Sequence, residues 1–156
     1  MGVIENALKF LKTREFVEIA TADKEGKPNS APKLFLKTDG RIAYFIDYSI
    51  DSRTAENMKI NSRVSLSFID FNSLFGYKLN GKTEIIDKGA IYDECLKELR
   101  KREIELSVER ITKGVHDGRP SKDFELAIPE RFLIYKVKIE EGSEINPRGE
   151  IKRESS

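Results

Sequence analysis

The stretch that decides the fold runs from Ser30 to Asp47 and reads SAPKLFLKTDGRIAYFID. Two apolar segments flank its Asp39-Gly40 pair, and an Asp-Gly pair in that setting is a strong signal for a tight hairpin turn. The second segment, Arg41 to Asp47, is rich in Ile, Tyr and Phe, which favour strands. The stretch therefore predicts an antiparallel hairpin.

Further strands are predicted on both sides of this hairpin. The segments with strand-like alternation are Phe16 to Thr21, Val64 to Ile69, Tyr77 to Asp87 and Phe132 to Ile139. Gly81 is expected to kink the strand that contains it. Five or six antiparallel strands joined by short turns predict a mainly β protein, because such a sheet closes into a barrel or folds into a sandwich. The edges of an open barrel would be covered by dimerisation.

Three helices are predicted around the strands. They are Val3 to Leu11, Arg53 to Ile60 with Asp51 or Ser52 as its N-cap, and a charged helix from Ala90 to about Ile111. Residues 112–123, with two Gly and one Pro, are predicted to form a mobile loop. Residues 140–156 are predicted to be a flexible or partner-contacting tail. Residues 1–156 are expected to form one domain.

Charge and composition exclude several classes of partner. The chain has 28 Lys and Arg against 27 Asp and Glu, so it lacks the basic field that non-specific nucleic-acid binding needs. No segment approaches the roughly 20 apolar residues of a membrane span, and the first 12 residues lack the apolar run of a signal peptide. Cys95 is the single cysteine, so no disulfide can form within the chain. These features predict a cytoplasmic protein that binds neither nucleic acid nor membrane.

Few residues are suited to metal or nucleophilic chemistry. A zinc site of the usual kind takes three or four His or Cys ligands, and this chain has only His116 and Cys95. No metal site is therefore predicted. A Ser-His-Asp triad would have to use His116, but no nucleophile motif accompanies it. His116 is interpreted as a solvated loop residue, and no catalytic residue is assigned.

Residues 50–57, which read IDSRTAEN, place phosphate-binding groups at a strand-to-helix corner. The backbone N–H groups at a helix start attract an anion. Arg53 adds a fork that can grip two phosphate oxygens, and Ser52 and Thr54 add hydroxyl donors. The pattern fits a phosphomonoester pocket, and it equally fits an ordinary capped helix with a surface arginine.

The strand before the Asp-Gly turn carries lysines at alternating positions. Lys33, Phe35 and Lys37 are expected to share one face. Unpaired edge amides of such a strand can hydrogen-bond the polar edge of a flat ring, while an aromatic side chain covers the ring's face. The alternative is a solvent-facing strand whose lysines extend into water.

In their order along the chain, these pieces resemble the FMN-binding split β-barrel of the pyridoxamine-phosphate-oxidase-like superfamily. The matching stretches are ATAD at 20–23, GKP at 26–28, Pro32 with its strand, DGRIAYF at 39–45, SRTAEN at 52–57, NSRVSL at 61–66, and the strand with Gly81. They cover about half of the chain, and their order makes the match more specific than any one of them.

The resemblance implies a homodimer with FMN near the subunit interface. It implies that Ser52, Arg53 and Thr54 hold the phosphate. The residues that it places along the isoalloxazine ring and ribityl chain are Lys33, Leu34, Phe35, Ile46 and Asp47. Residues 71–77 of the other subunit would supply the opposite wall.

Two departures from the family pattern qualify this comparison. Thr54 stands where the family often has Lys, so Lys33 or Arg53 would have to supply the missing phosphate charge. Residues 132–156 carry no match for the Arg-and-His substrate signature of the true pyridoxamine phosphate oxidases, which argues against synthesis of pyridoxal phosphate.

The leading hypothesis is a flavin oxidoreductase in which FMN exchanges hydride or electrons with a small-molecule substrate or electron donor. Three alternatives stay open. The chain could be a non-catalytic FMN-binding electron carrier or sensor, the same barrel with haem or a deazaflavin, or a ligand-free dimeric interaction module. Haem would want an axial ligand, and His116 is the only histidine.

Overall fold

A computed structural model describes residues 2–116 and 130–155 of the 156-residue chain. In chain order, the helices and strands of these two ranges are α1 (Val3–Leu11), β1 (Phe16–Ala22), β2 (Pro28–Asp39), β3 (Ile42–Asp47), α2 (Arg53–Ile60), β4 (Arg63–Ile69), β5 (Gly76–Ile86), α3 (Ala90–His116), β6 (Leu133–Ile145) and β7 (Ile151–Ser155). The predicted mainly β class, with helices at the N-terminus, at the strand-to-helix corner and in the C-terminal half, is confirmed.

Six of the strands close into an antiparallel barrel. Their order is β3-β2-β1-β4-β5-β6, and pairing between β3 and β6 closes the ring. β7 continues the sheet beyond β6 by pairing with the far end of that strand, at residues 141–145. The predicted antiparallel barrel of about six strands is therefore confirmed, with a seventh strand added outside the closed ring.

The hairpin of β2 and β3 contains a bulge that changes which residues share a face. Phe35 pairs with Phe45, but the next pair is Lys37 with Tyr44, so Leu36 is an extra residue on β2. Lys37 consequently lies beside Tyr44 on the outer face, with its ammonium 5.4 Å from the centre of that ring. The prediction that Lys37 shares a face with Phe35 is wrong, because the bulge interrupts the alternation between them.

Apolar side chains form two clusters, one inside the barrel and one outside it. The interior cluster includes Phe35, Phe45 and Tyr135, and it is closed at one end by the apolar face of α1. The outer cluster packs the start of α3, through Cys95 and Leu99, against the outer faces of β2, β3 and β6. Burial of apolar surface is the main stabilising contribution in both clusters.

Gly81 is required by the close approach of β5 and β6. A Cβ atom at this position would lie 2.1 Å from the backbone carbonyl oxygen of Lys138, so a larger residue would force the strands apart. The register between β5 and β6 shifts here, because Asn80 pairs with Glu141 and Gly81 pairs with Ile139. The irregularity predicted at Gly81 is therefore present.

The third helix is longer than predicted. It continues through residues 112–116 and ends at His116, so the prediction of a loop that begins at Thr112, with His116 in it, is wrong. A helix tolerates one internal glycine such as Gly114 at a cost of about 1 kcal/mol, which explains why this segment remains helical. The remainder of the predicted mobile loop, residues 117–123, lies outside the described residues.

The C-terminal segment is ordered rather than frayed. β6 continues to Ile145 and β7 runs from Ile151 to Ser155, which corrects the prediction of a flexible tail from residue 140. Glu154 accepts a hydrogen bond at 2.7 Å from the backbone N–H of Ile4 and lies 3.6 Å from the Arg41 guanidinium. These contacts join the two ends of the chain, and a local sequence pattern does not reveal them. Partner contact by this segment stays a prediction.

Candidate functional site

The predicted phosphate corner lies where β3 gives way to α2. β3 ends at Asp47 and α2 begins at Arg53. Ser52 is the N-cap of α2, and its hydroxyl oxygen accepts a hydrogen bond at 3.0 Å from the backbone N–H of Ala55. The capped helix predicted from the sequence is therefore present, with Ser52 rather than Asp51 as the cap.

A buried carboxylate, Asp47, organises the side chains behind this corner. Its Oδ2 atom accepts hydrogen bonds at 2.5 Å from the Ser52 hydroxyl and at 2.5 Å from the Tyr135 hydroxyl. The Lys33 ammonium lies 3.0 Å from the same oxygen. The other oxygen, Oδ1, accepts the backbone N–H of Ser49 at 3.0 Å. One carboxylate therefore connects β2, β3, β6 and the start of α2.

The protonation states follow from these contacts. Burial by itself would raise the pKa of Asp47, but hydrogen bonds from Ser52, Tyr135, Ser49 and Lys33 outweigh it and hold that pKa below the ordinary value. Burial, together with the hydrogen bond to Asp47, raises the pKa of Tyr135 far above the ordinary value. At neutral pH the carboxylate is ionised and Tyr135 is a neutral donor.

An apolar cavity of about 250 Å³ lies beside this carboxylate. Its lining residues are Phe16, Pro32, Lys33, Leu34, Ile46, Asp47, Tyr48 and Ser49. We call it the ring cavity. It brings together four of the five residues predicted to line a flavin ring, since only Phe35 is missing from its wall. Phe35 instead packs inside the barrel.

A second cavity of about 250 Å³ lies at the other end of the corner. We call it the anion cavity, and its lining residues are Asp23, Lys27, Pro28, Asn29, Arg53 and Asn57. Arg53 is the one predicted phosphate residue that lines it. The Arg53 side chain is 61% exposed and its Nε atom lies 3.6 Å from a Glu56 oxygen, an exposed pair that competes weakly with a bound anion.

The two predicted hydroxyl donors are used inside the protein. A serine hydroxyl has one hydrogen, and Ser52 donates it to Asp47. The Thr54 side chain is buried, and its oxygen accepts a hydrogen bond at 3.4 Å from the Asn29 amide. The structure thus separates the predicted trio, with Arg53 at the anion cavity and Ser52 and Thr54 in supporting positions.

Sequence reasoning missed Lys27, which is a second cation at the anion cavity. The turn that carries it is held by Asp23, whose Oδ1 atom accepts the backbone N–H groups of Glu25 and Lys27, each at 2.9 Å. The backbone hydrogen bond from Lys27 is the largest influence on Asp23 and holds its pKa below the ordinary value, and the charges of Lys27 and Arg53 act in the same direction. Both cations therefore lie near one carboxylate. The Gly-Lys-Pro sequence of the turn was the available signal.

The two cavities follow one another along β2. Asn29 lines the anion cavity and Lys33 lines the ring cavity. Four residues of a strand span about 13 Å, since each residue advances the strand by about 3.3 Å. The arrangement suits an elongated ligand with an anionic group at one end and a flat apolar group at the other.

An exposed apolar row extends from the ring cavity across the outer face of the sheet. Phe16 pairs with Leu34 in that cavity and begins β1, and the neighbouring antiparallel strand β4 ends at Ile69. From Ile69 the pairs continue through Gly76 to Ile145 and Ile151. Phe16 and the three isoleucines are exposed, as are Phe71 and Leu74 on the adjoining β4–β5 turn. An apolar surface of this continuity is typical of an interaction site.

Residues 2–116 and 130–155 show signs neither of a metal-binding cluster nor of a membrane-spanning helix. No three side chains of the His, Cys, Asp and Glu kinds come together in a way that could hold a metal ion there. No helix in these ranges combines the length and apolar character needed to cross a membrane.

Comparison with protein families identifies the fold's relatives. The family model described as pyridoxamine 5′-phosphate oxidase matches residues 3–145. The chain belongs to the pyridoxamine 5′-phosphate oxidase-like superfamily. The resemblance inferred from the sequence is thereby confirmed. None of the curated proteins matches this sequence.

Solved structures show the same fold in proteins with different ligands. A protein related to general stress protein 26, from Clostridium acetobutylicum, has 18% identity and a TM-score of 0.69, with 97% of this chain and 93% of that chain covered. A pyridoxamine 5′-phosphate oxidase-related, FMN-binding protein from Nostoc punctiforme has 15% identity and a TM-score of 0.57, with 98% and 94% covered. A haem-binding protein from Mycobacterium smegmatis has 12% identity and a TM-score of 0.66, with 99% and 58% covered.

Proposed function

We propose that the chain is an FMN-dependent oxidoreductase that works as a homodimer. The observation that carries this proposal is the placement of two cavities along β2, one apolar and one in which the two cations Lys27 and Arg53 outnumber the single carboxylate of Asp23. FMN has a flat ring at one end and a phosphate at the other, so its two ends match the two cavities in chemical character. Membership of the superfamily and the FMN-binding protein from Nostoc punctiforme support the same ligand.

The residues present fit this cofactor. Leu34 and Ile46 offer an apolar floor for the ring, while Lys33 and Asp47 place polar atoms at its edge. Arg53 and Lys27 would hold the phosphate and supply the charge that a lysine at position 54 would otherwise bring. Lys33 does not serve that purpose, because Asp47 already neutralises it. When bound, FMN would supply hydride or electron transfer, and the protein would position it and exclude water.

A second copy of the chain would complete the site. The ring cavity opens at Phe16, and from Phe16 the exposed apolar row continues to Ile69, Ile145 and Ile151. Covering such a row removes apolar surface from water and would also close the open side of the ring cavity. Phe71, which is 71% exposed on the β4–β5 turn, is placed to extend this contact.

The alternative ligands make different demands on the ring cavity. One of the solved structures with a similar fold is named as a haem-binding protein. The residues that line the ring cavity include no His, Cys or Met, and Tyr48 is the one lining side chain of a kind that ligates haem iron. This composition favours a flavin. A deazaflavin shares the flat ring and the phosphate, so only direct binding separates it from FMN.

The test is the absorption spectrum of purified protein, followed by titration with FMN and with riboflavin, which lacks the phosphate. The expected result is a flavin spectrum, a mass of two chains in solution, and tighter binding of FMN than of riboflavin. Arg53→Gln is expected to weaken FMN binding about tenfold, the scale of one charge-assisted hydrogen bond, and to leave riboflavin binding unchanged. Arg100→Gln, on the exposed face of α3, is the control.

Each negative result would contradict a different part of the proposal. A wild-type protein that takes up neither flavin contradicts the proposed function. Binding of both flavins with equal affinity, or full FMN affinity in Arg53→Gln, contradicts the phosphate assignment alone. Reduction of the bound flavin by NADH or NADPH and its reoxidation by an acceptor would support an oxidoreductase, whereas absence of turnover with either donor would favour a carrier or sensor.

A further inference from the structure

The hydroxyl of Tyr135 is a buried polar group outside the proposed ligand contacts. Tyr135 lies on β6, opposite Phe45 of β3, and it is fully buried in the interior cluster. Its hydroxyl lines neither the ring cavity nor the anion cavity. A tyrosine hydroxyl in such a place needs a partner, and it finds one in Asp47 at 2.5 Å.

Tyr135 is connected to the phosphate corner through one atom. Asp47 Oδ2 accepts the Tyr135 hydroxyl and the Ser52 hydroxyl, each at 2.5 Å. Ser52 in turn accepts the backbone N–H of Ala55 and so fixes the first turn of α2. Arg53, the next residue, projects from that turn into the anion cavity. The chain of contacts therefore runs from β6 to the residue that would grip the phosphate.

Tyr135 is one of four groups that hold the Asp47 carboxylate, the others being Lys33, Ser49 and Ser52. The Lys33 ammonium stands at the end of a long side chain and Ser52 lies in the loop before α2, whereas the Tyr135 ring is fully buried on β6 between β3 and β5. A hydrogen bond from a rigid, buried ring defines where Oδ2 lies, and Oδ2 defines where the Ser52 hydroxyl lies. Precise positioning of binding groups depends on such a supporting contact.

We propose that Tyr135 is a positioning residue that sets the phosphate-binding corner through Asp47 and Ser52. The inference rests on the proposed FMN function, because it concerns the affinity of that same site for the phosphate. It assigns to Tyr135 the preference for a phosphorylated flavin over riboflavin, although Tyr135 touches neither.

The ratio of FMN affinity to riboflavin affinity is the measurement that tests this proposal. Tyr135→Phe keeps the ring and removes only the hydroxyl. We expect it to lower the affinity for FMN about tenfold and that for riboflavin less, because the lost hydrogen bond to Asp47 supports the corner that carries Arg53. A purely structural role would weaken the binding of both flavins together. Tyr44→Phe, another buried tyrosine but one outside this network, is the control and should keep the wild-type ratio.

A double-mutant comparison sharpens the test. If Tyr135 acts through Ser52, Tyr135→Phe should lower the ratio little further in a protein that already carries Ser52→Ala, because the two changes break the same path. Additive losses would overturn the proposal. Should Tyr135→Phe fail to fold, Ser52→Ala interrupts the same path, and an unchanged ratio in that variant would overturn the proposal as well.

The outcomes separate this inference from the proposed function. A wild-type protein without affinity for either flavin refutes the function itself. A wild-type protein that prefers FMN, together with a Tyr135→Phe variant that keeps the full preference, refutes only the role of Tyr135.

Discussion

Lys33 and Arg53 are the two basic residues that the sequence singles out, and they lie in opposite environments. The Lys33 side chain is 12% exposed, and its ammonium is 3.0 Å from a buried carboxylate. The Arg53 side chain is 61% exposed, and its nearest acidic oxygen, on Glu56, is 3.6 Å away in a position open to water. The positive charge of Lys33 is thus committed to the protein's own structure, whereas that of Arg53 remains available to a ligand.

This difference shows that a basic residue next to a site need not bind the ligand. Coulomb attraction in a buried place is little screened, so Lys33 and Asp47 hold one another firmly. An exposed pair such as Arg53 and Glu56 contributes little and exchanges readily for a phosphate. Substitutions around Lys33 should therefore change stability, and substitutions around Arg53 should change affinity.

The largest loss of stability is expected when the Asp47 carboxylate is removed. Asp47→Ala leaves the Lys33 ammonium buried without its counter-charge and removes the acceptor for Ser52 and Tyr135. Loss of one partner of a buried ion pair costs about 3–5 kcal/mol, and urea denaturation measures it. Asp51→Ala is the matched control, because Asp51 is exposed and only four residues away, and it should stay within about 0.5 kcal/mol of wild type. Equal losses of stability in Asp47→Ala and Asp51→Ala would contradict the assignment of Lys33 to a buried ion pair.

The sequence predicts which residues surround the ring cavity better than it predicts the contacts between them. The family resemblance supplied the set Lys33, Leu34, Ile46 and Asp47, and the pairing of Leu34 with Ile46 brings these residues together in the structure. The turn signal at Asp39-Gly40 predicts the hairpin, and the bulge at Leu36 shifts its register beyond Lys37. The barrel then follows from the number of alternating segments.

The features that the sequence does not predict depend on contacts between residues that are far apart along the chain. Tyr135 is 88 residues from Asp47, and Glu154 is 150 residues from Ile4, so no local pattern relates either pair. The bulge at Leu36 is a property of the pairing between β2 and β3, and it moved Lys37 to the outer face. Arg102 illustrates the same limit, since its guanidinium donates to the Phe35 carbonyl oxygen from a helix 67 residues away.

A smaller effect is expected when the cation of the buried pair is removed. Lys33→Met keeps the length of the side chain but removes its charge. Asp47 then retains its hydrogen bonds from Ser52, Tyr135 and Ser49, so we expect stability to fall by about 1–3 kcal/mol, the cost of one lost charge-assisted contact.

The same variant sharpens the contrast between the two cations. Lys33→Met should lower the affinity for FMN less than Arg53→Gln does, although it lowers stability more. Lys37→Met is the control for stability, since Lys37 lies on the same strand with a more exposed side chain, 3.9 Å from Glu94. A reversed order, with Lys33→Met the worse binder and Arg53→Gln the less stable protein, would show that the roles assigned here are exchanged.

The smallest change in stability is expected when the pH is lowered. This experiment tests the contribution of the ionised form of Asp47. The pKa of Asp47 lies below its ordinary value of 3.8 in the folded protein, so the folded state holds fewer protons than the unfolded state in that range. The stability that the carboxylate contributes is therefore fully present above pH 3.8 and is lost as the pH falls through the lower folded value. Asp47→Asn cannot titrate and lacks this contribution. The difference in unfolding free energy between wild type and Asp47→Asn, measured by urea denaturation in a series of acidic buffers, should accordingly shrink as the pH falls. A difference that stays constant down to the lowest pH at which both proteins fold would mean that the Asp47 charge is not what holds Lys33, Ser52 and Tyr135 together. Lys33 and Arg53 would then differ in their burial alone.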